Sequence, residues 1–97
     1  MKILSTGSAV PPLAVTNEMF AEVVDTSDEW IYSRTGIRSR RISTGDTALS
    51  MASRAAENAI AAAGIEKADI GLVICASVTN EYLTPSLACL IQRELGL

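Results

Sequence analysis

Ninety-seven residues, 48% of them hydrophobic and 20% charged, describe a folded chain the size of one small domain or of a piece of a larger one. A net charge of −3 argues against a general nucleic-acid binder, no apolar run is long enough to span a bilayer, and MKILSTGSAV is too short for a signal peptide, which leaves the cytosol as the default location. Two cysteines, Cys75 and Cys89, and no histidine exclude a Ser-His or Cys-His dyad within the chain, a CxxC redox pair and the usual zinc site.

Lys2 to Ser8 is an apolar run broken by Gly7 and followed by Pro11-Pro12, and reads as a strand ending in a turn. In VTNEMFAEVV, Thr16 or Asn17 offers an N-cap, and Met19, Phe20, Val23 and Val24 form an apolar face at helical spacing. A second short helix begins at TSDEW, capped by Thr26 or Ser27. Asp28 and Glu29 occupy its first turn, where the helix dipole favours acids, and Gly36 ends it. Ile37 to Ser43 alternates roughly, as a short exposed strand does. From Asp46 or Thr47 a long helix runs to Ala63 and stops at Gly64, with Leu49, Ala52, Ala56, Ile60 and Ala63 on one stripe. Ile70, Leu72, Val73, Ile74 and Cys75 form a near-continuous apolar run, the pattern of a strand covered on both faces. TNEYL is a loop. TPSLACLIQRELGL reads as a helix with Thr84 at the N-cap, Pro85 at the first helical position and Gly96 beyond the end.

This order predicts an α/β protein with parallel strands. Only two strands are clear, and Ile70 to Val78 would be left with unpaired apolar edges. An alternating pattern would continue with another strand after Leu97. Residues 1–97 are therefore expected to be a single incomplete domain, the front part of a longer protein.

One stretch concentrates the chemistry. DTSDEWIYSRTGIRSRR, residues 25–41, holds the chain's one Trp, Trp30, and four of its eight basic residues, Arg34, Arg38, Arg40 and Arg41. Trp30 and Arg34 are four apart and share one helix face. Two readings are open. The pair can belong to an amphipathic surface helix, or the indole can offer a flat face to a nucleobase while the guanidinium pairs with phosphate oxygens. Arg38, Arg40 and Arg41 form a solvated basic face or a local patch that steers an acidic partner. Cys89 sits near a helix start with no base nearby and off the Leu87, Ile91, Leu95 face, and Cys75 lies inside an apolar run; both read as structural. The dinucleotide fingerprint GxGxxG is absent.

The same stretch, DTSDEWIYSRTGIRSRRI, resembles the signature near the N-terminus of the β-ketoacyl-acyl-carrier-protein synthases III. STGSAVPP, the pair Thr16-Asn17, AGIEKADIGLVICAS and TPSLACLIQRELG follow in that family's order and spacing, so the resemblance covers essentially the whole chain. It implies the N-terminal part of a thiolase-like layered αβαβα fold that works as a homodimer. The implied reaction is a decarboxylating Claisen condensation of an acyl-coenzyme A primer with malonyl-acyl carrier protein, which initiates fatty acid biosynthesis. Coenzyme A arrives as the substrate's thioester, and no bound cofactor is implied. By resemblance Trp30 stacks the adenine, Thr26 hydrogen-bonds it and Arg34 contacts the nucleotide phosphates. Thr84 matches a position near the dimer interface that shapes the partner's acyl pocket; N-capping is its competing role. Arg38, Arg40 and Arg41 are candidates for steering carrier protein or phosphates. The family's catalytic Cys, His and Asn lie beyond the matched segment, and neither Cys75 nor Cys89 occupies the nucleophile's place. The 97 residues alone are thus expected to be inactive. Two alternatives stand beside this: a related condensing enzyme of secondary metabolism, and a non-catalytic fragment that binds coenzyme A or carrier protein.

Overall fold

A serine or threonine hydroxyl starts each of the four α-helices. Thr16 accepts from the Met19 amide at 3.2 Å, Ser27 from Trp30 at 3.1 Å, Thr47 from Ser50 at 3.0 Å and Ser86 from Cys89 at 3.3 Å. The helices that follow in the computed structural model, which describes residues 1–97, are α1 (Asn17–Ala21), α2 (Asp28–Thr35), α3 (Ala48–Ala63) and α4 (Leu87–Leu95). A short 3-10 turn spans Lys67–Asp69. Gly36 ends α2 at φ +69°, a left-handed backbone that a side chain would disfavour. Contacts gather in two units: Val10–Gly45, and Met1–Ala9 together with Asp46–Leu97.

The unit Val10–Gly45 holds the only sheet. Strands β1 (Leu13–Thr16) and β2 (Ser39–Ile42) pair antiparallel, from Leu13 opposite Ile42 to Thr16 opposite Ser39. The expected strand at Ile37 to Ser43 is present. Strand β1 was not expected, because a four-residue run behind two prolines carries too little pattern to separate it from a linker. The parallel pairing expected from the element order is not formed; the one ladder is antiparallel.

In the second unit, Leu87, Ile91 and Leu95 recur every four residues along α4 and are buried. They pack against Ala48, Leu49, Ala52 and Ala56 of α3 and against Val73, Cys75 and Leu97. Each buried Leu or Ile contributes about 1.5–3 kcal/mol by leaving water. The small residues on α3 let the neighbouring chain come close. Gly7 lies against the backbone of Ala55 and Ala59, where a Cβ would overlap both. Ser5 Oγ donates to the Ala59 carbonyl at 2.6 Å, and Asn58 Nδ2 donates to the Ser8 carbonyl at 3.0 Å.

Two expected strands are not strands here. Lys2 to Ser8 spends its polar contacts on α3 rather than on a ladder. Ile70 to Val78 is covered on one side at most: Val73 and Cys75 pack on the α4 cluster, while Leu72 is 75% and Ile74 84% exposed. Both segments are apolar enough for a sheet, but a ladder needs partner strands in register and neither segment is paired in one. The last helix also starts later than expected. Ser86, not Thr84, supplies the N-cap hydroxyl, and Leu87 is the first helical residue.

Candidate functional site

The segment between α1 and α2 turns so that Phe20, Val24, Asp25, Thr26, Ser27, Trp30 and Ile31 line one open groove of about 530 Å³. Phe20 ends an apolar pair spaced four apart with Val24, so one side of the groove is built by helical periodicity carried past the end of α1. Ser27, rather than Thr26, caps α2. That division matters chemically. Thr26 lines the groove, and its hydroxyl is buried with no hydrogen-bond partner. A buried hydroxyl without a partner costs roughly 1–3 kcal/mol, which a ligand's polar atom can restore.

Trp30 stands in the first turn of α2 with 54% of its surface exposed. Arg34, the next residue on the same face, sets its guanidinium 4.4 Å from the centre of the indole ring. It pairs with no acid. Thr26 and Trp30 therefore share one groove, an unsatisfied hydroxyl beside a flat aromatic surface, and Arg34 lies over the Trp30 ring. The arrangement suits a planar heterocycle that carries an anionic tail.

The remaining arginines are engaged inside the same unit. Arg38 pairs with Asp28 at 3.1 Å and lies 3.7 Å over the Tyr32 ring. Arg40, half-buried, bonds the side-chain oxygen of Asn17 and the carbonyls of Val15 at 3.2 Å and Thr16 at 3.4 Å, and lies over Phe20. Arg41 donates to the carbonyls of Pro11 at 3.2 Å and Pro12 at 3.5 Å. Sequence reading saw a row of positive charge; the backbone carbonyls that absorb it come from residues about 25–30 positions away and leave no local mark.

Thr84 belongs to the other unit. It is exposed, in a loop where Tyr82 is 63% and Leu83 99% exposed. Glu81 ties that loop to α3 by accepting from the Ala48 amide at 2.6 Å. Cys75 is half-buried against α4, and Cys89 is exposed with the Ser86 hydroxyl 3.2 Å from its sulfur. Asn17 is the residue that sequence reading underrated. It entered as a possible cap and as half of the Thr16-Asn17 pair, yet it is fully buried at the junction of α1, α2 and β2.

Solved structures define the class. A 3-oxoacyl-[acyl-carrier-protein] synthase III from Aquifex aeolicus matches with a TM-score of 0.92 at 42% identity, over 98% of this chain and 31% of that one. The priming β-ketosynthase of the R1128 polyketide biosynthetic pathway matches with a TM-score of 0.92 at 40% identity, over 98% of this chain and 29% of that one. The fold is that of the thiolase-like condensing enzymes. Among curated relatives, the β-ketoacyl-[acyl-carrier-protein] synthase III of Serratia proteamaculans is 50% identical over 97 residues, which are 99% of this chain and 31% of that protein. The synthase III of Clostridium botulinum is 46% identical over 96 residues, 99% of this chain and 29% of that protein. The chain is a homologue of the β-ketoacyl-acyl-carrier-protein synthases III and spans 29% to 31% of the length of these two relatives. No family model matches it.

Proposed function

We propose that the groove beside Trp30 receives the adenine nucleotide of an acyl-coenzyme A, and that the chain serves as the front part of a β-ketoacyl-acyl-carrier-protein synthase III. The complete enzyme would condense the acyl primer with malonyl-acyl carrier protein, by loss of carbon dioxide, at a Cys-His-Asn centre outside these residues. The chain alone supplies the nucleotide end of the substrate site and no chemistry. The carrying observation is the meeting in one groove of a half-exposed indole and a buried hydroxyl that has no partner within the protein. Trp30 stacks the base, Thr26 bonds its edge, and Arg34, free of any acid, meets the phosphates.

The rest of the reading follows from the same kinship. Thr84 lies at the interface of a homodimer and shapes the partner's acyl pocket, a role supported by the exposed apolar side chains around it. Arg38 and Arg41 keep exposed faces from which to steer the carrier protein, whereas Arg40 is taken up by its internal bonds. The enzyme works in the cytoplasm; no helix is long and apolar enough to cross a membrane.

Trp30 is the only tryptophan, so its emission reports on the groove directly. Coenzyme A is expected to quench it saturably. Replacing the indole, in Trp30→Ala, should weaken coenzyme A binding measured by calorimetry by about tenfold or more, the usual worth of one aromatic stack on a base. Equal affinity in both proteins would sink the reading.

A second reading is favoured by one observation. The priming β-ketosynthase of a polyketide pathway matches this chain as well in backbone as the Aquifex synthase does. A condensing enzyme of secondary metabolism would keep the same nucleotide groove and differ in acyl primer, so the primer profile of the complete enzyme separates the two.

A further inference from the structure

We propose that Asn17 is a positioning residue for the groove: through Asp28 it sets the first turn of α2, and with it Thr26 and Trp30. The inference rests on reading the groove as a nucleotide site. Asn17 has no exposed surface. Its Nδ2 donates to Asp28 Oδ1 at 2.8 Å and to the Ile37 carbonyl at 2.7 Å, its Oδ1 accepts from Arg40, and its backbone amide donates to the Arg38 carbonyl at 3.0 Å. Both donors and the acceptor of the side-chain amide are thus used, and no other side chain of that size offers the set.

Asp28 is the first residue of α2 and follows directly on Thr26 and Ser27. Its second oxygen holds Arg38, which lies over Tyr32 one turn further along. Asp28 and Tyr32 share one face of α2. Trp30 and Arg34 are displaced from them by two residues, about 200° around the helix, and share the opposite face. One side of α2 is therefore clamped by Asn17 and Arg38 while the other is left open to a ligand. Whatever displaces Asp28 displaces the α2 cap, the Thr26 hydroxyl and the indole together.

Asn17→Asp keeps the size, removes the donor and sets a carboxylate beside that of Asp28. In the full chain, with Trp30 emission read at a temperature where circular dichroism shows the variant folded, coenzyme A affinity is expected to fall about tenfold, the usual worth of one hydrogen bond to a charged group. The exchanged pair Asn17→Asp with Asp28→Asn restores one donor and one charge, and should recover most of that loss. Ile91→Val, a mild destabilisation in the other unit, should leave affinity unchanged. Unaltered affinity in folded N17D, or an equal loss in I91V, overturns the proposal. If N17D does not fold, Asp28→Asn carries the test: about threefold weaker binding is expected from loss of the same charge-assisted contacts, and no change overturns it. If the unaltered chain does not respond to coenzyme A, the nucleotide reading fails. The positioning role is then read from the Trp30 emission maximum, which N17D should shift and which must stay put if Asn17 does not set α2.

Discussion

The two units of this chain are held together by different physics. Asp46–Leu97 with Met1–Ala9 coheres by apolar burial: the Leu87, Ile91, Leu95 ridge of α4 lies on the small residues of α3, and little of it depends on direction. Val10–Gly45 has one fully buried side chain, and it is an amide. Around Asn17, two arginines, an aspartate and several backbone carbonyls form a network in which each contact has a preferred geometry. The difference bears on function. A unit knit by polar contacts does not need its aromatic residues as core, so Trp30 can stand half in solvent beside an unused hydroxyl.

The contrast can be broken by substitution. The largest effect is expected at Ile91→Ala, which should destabilise the α3–α4 unit by about 2–5 kcal/mol in urea unfolding while the emission of folded Trp30 stays unchanged. Parallel loss of the groove signal before unfolding would show that the units are not separately held. Next comes Arg40→Met. It removes the donors that satisfy Asn17 Oδ1 and two carbonyls. A cost of about 1.5–3 kcal/mol is expected, with the loss falling on Val10–Gly45 in hydrogen exchange; protection lost equally in α4 would count against a local role. The smallest effect belongs to Arg38→Gln. The arginine side chain of this ion pair is 63% exposed. Screening by water and salt holds its worth below about 1 kcal/mol, so a shift in unfolding midpoint larger than that would mean the stacking on Tyr32 matters more than the pair.

Much of this was legible in the residues themselves. Helix starts near Thr16-Asn17, Thr26-Ser27 and Asp46-Thr47, stops at Gly36, Gly64 and Gly96, the exposed strand after Ile37 and the Leu87, Ile91, Leu95 face all follow from spacing and hydroxyl chemistry within a few residues. So did the motif around Trp30. Less legible was the choice between neighbours: Ser27 over Thr26 as cap, Ser86 over Thr84. Either hydroxyl in each pair could reach an amide, and the path of the chain decided which one does. That choice is what left Thr26 in the groove.

What the sequence determined alone was local: where helices start and stop, which faces are apolar, and the family to which the whole run of motifs is related. Those signals act over one or two turns and do not depend on the rest of the chain. Only the tertiary structure decided that β1 pairs with β2, that Arg40 bonds Asn17 and the Val15 carbonyl, and that Arg41 bonds the Pro11 carbonyl. It also decided that Ile70 to Val78 joins no ladder. Each of these is a hydrogen bond made or missing between residues far apart in sequence, and a backbone donor or acceptor carries no side-chain label to announce its partner.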